Sequence, residues 1–335
     1  MRAKGSPVVK IFVTGGAGFI GSNFVRMALD GQLTDILDCE ITVFDALTYS
    51  GTLTNLSPVS QSARFEFVHG DIRDSSALAD ALPGHDAIVH FAAESHVDRS
   101  VTDSGIFVET NVLGTQRLLD QALAAGVERF LHVSTDEVYG SIESGSWDES
   151  QPLLPNSPYA ASKASSDLLV RSYNITHGLN TSITRCSNNY GTHHFPEKVI
   201  PLFITNLLDG KKVPLYGDGQ NIRDWLHVDD HCRGLARVLT QGQPGEIYNI
   251  GGGTELSNWE LTQLLLEATG RDHSFVEEVQ DRKGHDRRYS VDITKISSTL
   301  GYQPAVDFQS GLADVVQWYM KNRSWWEPLK ERASL

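Results

Sequence analysis

Thr135, Asp136, Glu137, Tyr159 and Lys163 stand close together in the chain and carry a hydroxyl, two carboxylates, a phenol and an amine. Their intrinsic proton affinities differ widely, so a site holding all of them can give and take protons at several points of one reaction. The flanking sequence says how they meet. Arg129-Phe130-Leu131-His132-Val133 is a short apolar run that suits a buried strand, which puts Thr135, Asp136 and Glu137 just past its carboxyl end. Open α/β sheets bind ligands at that edge. Pro158 pre-sets the first turn of a helix, and Tyr159 and Lys163, four residues apart, share one face of it. Without this setting the acids would read as a solvated loop.

Val8 to Thr14 is an apolar strand running into Gly15-Gly16-Ala17-Gly18-Phe19-Ile20-Gly21 and then a helical pattern through Leu29. In such a turn Gly15 permits the bend, Gly18 lets the backbone approach a pyrophosphate, and Gly21 allows close helix–strand packing. A glycine trio alone also fits a plain structural turn. Ile41-Thr42-Val43-Phe44-Asp45 strengthens the ligand reading by placing a carboxylate at the next strand end, where it can accept from both adenosine ribose hydroxyls. A 2′-phosphate would face that charge, and Ala46-Leu47 offers no arginine, so NAD is favoured over NADP. Phe65 to Val68 leads to Gly70-Asp71, where Asp71 is placed to accept from an adenine amino group or to serve as an ordinary loop acid. Ala87 to Phe91 runs into the small residues Ala92-Ala93-Glu94-Ser95. Asp103 to Ala125 reads as a long packing or dimer-forming helix. Strand and helix alternate up to Arg185, which predicts a Rossmann-type doubly wound parallel sheet. After Arg185 turns multiply. The expected division is 8–186 for the dinucleotide-binding domain carrying the catalytic residues, and 187–322 for a smaller substrate-binding lobe with some segments returning to the sheet.

With 335 residues, 40% hydrophobic and 21% charged, the composition is that of an ordinary globular protein. A net charge of −14 argues against nucleic acid as a partner. Three widely spaced cysteines, Cys39, Cys186 and Cys232, give no disulfide framework or zinc spacing, and a cytoplasmic setting follows. The basic, then apolar start from Met1 to Val13 is interrupted by glycine too early for a signal peptide, and no apolar run approaches a membrane span. His193-His194 lacks metal-ligand spacing, and no metal is expected.

Gly15-x-x-Gly18-x-x-Gly21 with Tyr159-x-x-x-Lys163 resembles the extended short-chain dehydrogenase/reductase superfamily. Within it, Ala92 to Ser100, Ser134 to Gly140, Asn188-Asn189-Tyr190-Gly191, His194-Phe195-Pro196-Glu197-Lys198 and Arg223-Asp224-Trp225 are similar to the dTDP-glucose 4,6-dehydratases. The resemblance implies oxidation of sugar C4, loss of water across C5 and C6, and return of the same hydride to C6. It assigns Tyr159 as the base at the C4 hydroxyl, Lys163 to the nicotinamide ribose, Thr135 to the C4 oxygen, Glu137 to the C5 proton, and Asp136 as the acid at the C6 oxygen. A free tyrosine titrates near about pH 10, so Lys163 and the oxidised nicotinamide are expected to lower it. Further dinucleotide contacts are implied at Phe19, Ile20, Thr48, Ile72, Phe91, Ser95, Thr110 and Asn189.

For the nucleotide sugar the resemblance implies Ser95, Asn188 and Val199, a diphosphate held by Lys198, Arg223 and Arg282, a base covered by Pro214 and Tyr216, and Asn249 and His285 completing the pocket. It also suggests a homodimer on the Asp103 to Ala125 and Tyr159 to Thr176 helices. The chain departs from the family pattern at Ala46, Thr192-His193 and Lys283, away from the proposed chemistry. A 4-epimerase or decarboxylase on the same scaffold would also use Tyr159, Lys163 and NAD, but would leave the Asp136-Glu137 pair without a task. A uridine nucleotide differs from a thymidine one by a single methyl group, which a pocket discriminates only modestly. Ser257-Asn258-Trp259-Glu260 reads as a helix-opening capping box, and Gly251-Gly252-Gly253 as a turn.

Overall fold

The computed structural model describes residues 9–333, so Val8, expected to open the first strand, lies outside the described residues. The alternation of apolar runs with amphipathic stretches becomes a seven-stranded sheet. Its strands are β1 (Lys10–Thr14), β2 (Glu40–Asp45), β3 (Phe65–His69), β4 (Ala87–His90), β5 (Arg129–Thr135), β6 (Thr181–Cys186) and a late strand, Ile247–Ile250. All neighbours pair in parallel. With β1 to β6 in the spatial order β3-β2-β1-β4-β5-β6 and the late strand beyond β6, the order in which strands are added reverses at the β1/β4 boundary, the doubly wound arrangement. A ligand crevice is expected at that switch point, where the glycine turn after β1 faces the loop after β4.

Two apolar cores sandwich this sheet. Ile11, Val13, Phe24, Val43 and Leu131 belong to one, and Phe12, Phe44, Ile88, Leu118 and Phe130 to the other, so successive residues of a strand serve opposite faces. A third cluster, around Tyr190, Phe203, Trp225, Leu265, Leu312 and Trp326, supports the later part of the chain. There β7 (Asn188–Tyr190), β8 (Val213–Tyr216) and β9 (Ile222–His227) precede the late sheet strand, β10, and β11 (Glu255–Ser257) and β12 (Val276–Val279) follow it. β7, β9 and β11 form one small sheet, and β8 with β12 another.

The anticipated Asp103 to Ala125 helix starts at Gly105, and residues 108–114 wind as a wider π-helical segment before Thr115–Ala125 resumes the α form. That widening turns Asn111 inward, where its side chain exchanges hydrogen bonds with both backbone groups of Glu94 and donates to Ser162 Oγ at 2.8 Å. The Ser257 capping box is present, with Glu260 Oε2 accepting from Ser257 N at 2.8 Å. The Gly251–Gly253 turn is tied by Asp224, which accepts from Gly252 N at 3.0 Å and Thr254 N at 2.8 Å.

Candidate active site

Gly15 closes the β1 turn with φ +69°, and a methyl group added to it would stand 2.5 Å from the Ala92 backbone nitrogen. A side chain on Gly21 would meet Gly15 O at 2.4 Å. The two loops therefore touch backbone to backbone, and only glycine permits it. The helix Phe19–Leu29 begins at Gly18 with no side-chain cap, which leaves its first amide donors aimed at the crevice. Asp45, at the end of β2, accepts from Ala17 N at 2.9 Å and Leu47 N at 2.8 Å and stays nearly buried beside the same space. Arg73 is at hand, but Asp71 holds it through Oδ2 at 2.6 Å and Oδ1 at 3.0 Å. This cradle has the donors for a pyrophosphate and an acceptor for a ribose, and its cation is already neutralised. The residues present fit NAD.

A cavity of about 310 Å³ runs from this cradle to the end of β5. Every residue expected to touch the dinucleotide lines it: Gly15, Gly18, Phe19, Ile20, Gly21, Asp45, Thr48, Asp71, Ile72, Phe91, Ala92, Ala93, Ser95, Thr110, Tyr159, Lys163 and Asn189. Thr135, Asp136 and Glu137 line its inner end with Asn188. A second cavity of about 200 Å³ adjoins it, lined by Asn188, Lys198, Val199, Pro214, Tyr216, Arg223, Arg282 and His285. Glu137 faces both spaces.

Asn249 does not join either. It is fully buried in β10, its amide donating to Trp147 O at 2.9 Å and Asp292 O at 3.3 Å while its oxygen accepts from Tyr139 Oη at 2.9 Å. With its side chain so committed, the expected pocket role is corrected to a structural one.

At the inner end, Ser157 caps the Pro158–His177 helix by accepting from Ala160 N at 3.1 Å, which fixes the register that turns Tyr159 and Lys163 inward together. Lys163 Nζ donates to Val133 O at 2.9 Å, and burial lowers its pKa from 10.5 to about 8 although Asp167 opposes the shift. Burial, reinforced by the Glu137 charge, raises the Tyr159 pKa well above its ordinary value, and only a hydrogen bond with Thr135 pulls the other way. Lys163 donates to the β5 carbonyl and is not among the groups that lower the phenol, so activation of Tyr159 as a base draws on further positive charge in the cavity.

The two acids are set apart by their surroundings. Asp136 is 2% exposed; its Oδ1 accepts from Thr135 Oγ1 at 3.2 Å, and its Oδ2 is buried without a partner among the described residues. Keeping an ordinary carboxyl protonated at neutral pH costs about 4 kcal/mol. Leaving an uncompensated charge buried costs about 3–5 kcal/mol. Burial and then the neighbouring Glu137 and Asp224 charges raise the Asp136 pKa well above its ordinary value, which favours the protonated form, while Arg223 and the Thr135 hydroxyl oppose the shift. Glu137 is raised by burial too, but Arg282, Arg223 and Lys198 pull it back toward the carboxylate. One acid and one base stand side by side.

The three cations come from distant parts of the chain. Arg223 lies over the Tyr289 ring at 4.3 Å and donates to Asp286 O at 3.0 Å. Arg282 pairs with Asp98 at 3.2 Å, with its Nε unpartnered among the described residues, and Lys198 donates to Ser95 O at 2.7 Å. Sequence reasoning passed over Glu94, His194, Phe195 and Glu197, which also line the first cavity. His194 stacks on Phe19 at 4.0 Å, with a signal available only in its membership of the His194 to Lys198 motif.

The family described as GDP-mannose 4,6 dehydratase matches residues 12–315. The chain belongs to that family. It is 60% identical to a dTDP-glucose 4,6-dehydratase of Actinoplanes sp. over 319 residues, covering 95% of this chain and 100% of the relative. A dTDP-glucose 4,6-dehydratase of Streptomyces antibioticus is 59% identical, covering 97% and 96%. Among solved structures it is similar to DesIV, a dTDP-glucose 4,6-dehydratase from Streptomyces venezuelae with NAD and dTDP bound. The TM-score is 0.95, with 62% identity over 96% of this chain and 100% of that one. The expected family and doubly wound fold are those found.

Proposed function

We propose that the chain is an NAD-dependent dTDP-glucose 4,6-dehydratase, which converts dTDP-glucose to dTDP-4-keto-6-deoxyglucose and water. The observation that carries this reading is the buried Asp136 beside Glu137, at the same cavity end as Tyr159 and Lys163. NAD, when bound, supplies a hydride acceptor and the positive charge that the raised phenol lacks. Tyr159 then takes the C4 hydroxyl proton, with Thr135 orienting that oxygen through its own hydroxyl. A 4-keto group acidifies the C5 proton, which Glu137 removes as a carboxylate. Hydroxide is a poor leaving group, so Asp136 gives its retained proton to the C6 oxygen and water departs, after which Glu137 returns its proton to C5 while the borrowed hydride would be restored to C6. Lys198, Arg223 and Arg282 face the diphosphate, and Pro214, Tyr216 and His285 the base end.

Residues 8–186 serve the dinucleotide and the chemistry, and 187–322 mainly the nucleotide sugar. A homodimer is supported by Val108 and Leu113, 56% and 41% exposed, and by Leu168 and Ile175, 59% and 63% exposed, on two helices joined by Gln116 and Tyr173 at 3.3 Å. Among the described residues no helix is long and apolar enough to cross a membrane. A cytoplasmic setting fits the buried thiols of Cys39, Cys186 and Cys232. Incubation with dTDP-, UDP- and GDP-hexoses, read by mass, tests the reading: dTDP-glucose losing one water supports it, whereas an unchanged mass with a C4 epimer recovered returns the site to the epimerase reading.

A further inference from the structure

The Trp325-Trp326 pair has no part in the chemistry above, yet its position is specific. Trp326 is 1% exposed in the third core and donates its indole N–H to Tyr319 O at 2.8 Å, which anchors the terminal helix Arg323–Ala333. Asp209 adds ion pairs to Arg323 at 2.6 Å and Lys330 at 2.7 Å. From this anchor the helix reaches the loop after β2. Trp325 Nε1 donates to Asn55 Oδ1 at 3.1 Å, and Asn55 Nδ2 donates to Ala17 O in the glycine turn at 3.0 Å. Asn55 is itself 1% exposed, with Arg26 donating to its carbonyl at 2.7 Å. Next to the helix end, Arg332 donates to Thr48 O at 3.1 Å, and Thr48, Ser50 and Gly51 wall the first cavity beside Asp45. The preceding helix, Phe308–Lys321, reaches the opposite wall, where Tyr319 Oη donates to His194 O and His194 stacks on Phe19. His193, held at φ +61°, packs its ring 4.4 Å from Trp318 and 5.4 Å from Trp325.

We propose that the terminal helix is a brace holding the 46–56 loop closed over the adenosine end of the dinucleotide, with Trp325 and Arg332 as positioning residues that slow cofactor release. This rests on the reading of the first cavity as the NAD site. Opening the loop away from Asp45 must break the Trp325–Asn55 and Arg332–Thr48 hydrogen bonds. On the cavity side Asn55 Nδ2 and Thr52 N both donate to Ala17 O and Leu47 N donates to Asp45, so the brace reinforces from behind a loop already tied in front. The reaction returns its hydride within one cycle and has no need to exchange the cofactor. A brace then protects against losing reduced cofactor with the keto intermediate in place.

The test loads the full chain with radiolabelled NAD, chases with excess unlabelled NAD, and follows amide hydrogen exchange of residues 46–56 in parallel. Trp325→Phe keeps a smaller aromatic ring against His193 and Trp318 and removes the donor. One such hydrogen bond corresponds to release about three- to tenfold faster, with faster exchange in 46–56 and kcat at saturating NAD unchanged. Arg332→Gln, at the exposed end of the helix, is expected to give about a twofold acceleration and carries the test alone if Trp325→Phe proves unstable. Unchanged release and exchange in the tested variants, with NAD bound and dTDP-glucose still dehydrated, overturn the brace and leave the function standing. A wild-type chain that retains no labelled NAD overturns the brace, and the function falls with it only if dTDP-glucose is also left unchanged.

Discussion

The two cavities meet at Glu137 but are built differently. The dinucleotide side is made of strand ends and the first turns of the helices that follow them, so its groups are placed by backbone geometry: Gly15 after β1, Asp45 ending β2, Asp136 after β5 and Tyr159 at a helix start. The substrate side is made of side chains reaching in from a small sheet and several loops, with Lys198, Arg223 and Arg282 converging only in three dimensions. On the proposed mechanism the first region handles the protons and the second holds the nucleotide sugar. Substitutions on the first should therefore change the rate of a step, and those on the second should change binding.

Tyr159→Phe is the severest break. Loss of the base should reduce the rate of C4 oxidation by about 10²–10⁴-fold, leaving no transient absorbance of reduced dinucleotide. A transient of wild-type size would remove Tyr159 from the mechanism. Asp136→Asn should act later. Oxidation still occurs and elimination slows by about 10²–10³-fold, so reduced dinucleotide accumulates. The same substitution should raise Tm. A carboxyl whose folded pKa is raised binds its proton more tightly in the native state than in the unfolded chain. Its contribution to stability is lost as pH rises toward the folded value, and the amide has no such loss. A variant with unimpaired elimination would show that the acid lies elsewhere.

Across the boundary, Arg282→Gln should raise KM for dTDP-glucose by about 10–100-fold with kcat nearly unchanged, the loss expected for a charge-assisted contact to a diphosphate. A fall in kcat at constant KM would contradict the division of labour. Lys163 sharpens the comparison by pH. Its ammonium, lowered to about 8, is charged below that value and lost above it. Activity should fall on the alkaline side with a limb near pH 8, reaching about a tenfold loss one unit higher. From about pH 8 to 10.5 the unfolded chain binds more protons at this site, so folding stability from Lys163 rises while activity falls. A rate flat through about pH 10 would mean that the charge is not needed.

This difference in construction also decides what could be read in the sequence. The sheet, the glycine turn, Asp45 and the Tyr159–Lys163 pair follow from local periodicity, because strand ends and helix faces carry their side chains to fixed places. The cations were named only through resemblance, since no local pattern brings Lys198, Arg223 and Arg282 together. The balance of effects on Tyr159 is less legible. Sequence supplies a lysine one turn away, but not the β5 carbonyl that engages it or the burial that outweighs it. The π-helical turn at residues 108–114 was also invisible, because its apolar spacing looks helical throughout.

Asn249 is the mildest and most discriminating case. A resemblance placed it in the sugar-nucleotide pocket, while the fold buries it in β10 with its amide and oxygen bound to Trp147, Asp292 and Tyr139. Tyr139 Oη in turn accepts from Arg185 at 2.8 Å, and Arg185 pairs with Asp167 at 2.9 Å, so removing the Asn249 oxygen takes one acceptor from a buried chain of polar groups. Asn249→Ala should destabilise the fold by about 1–3 kcal/mol, seen as a lower Tm, while KM for dTDP-glucose stays within about twofold of the parent. A KM increase comparable to that of Arg282→Gln, with Tm unchanged, would return Asn249 to the pocket and erase the line drawn between residues that hold substrate and residues that hold the sheet.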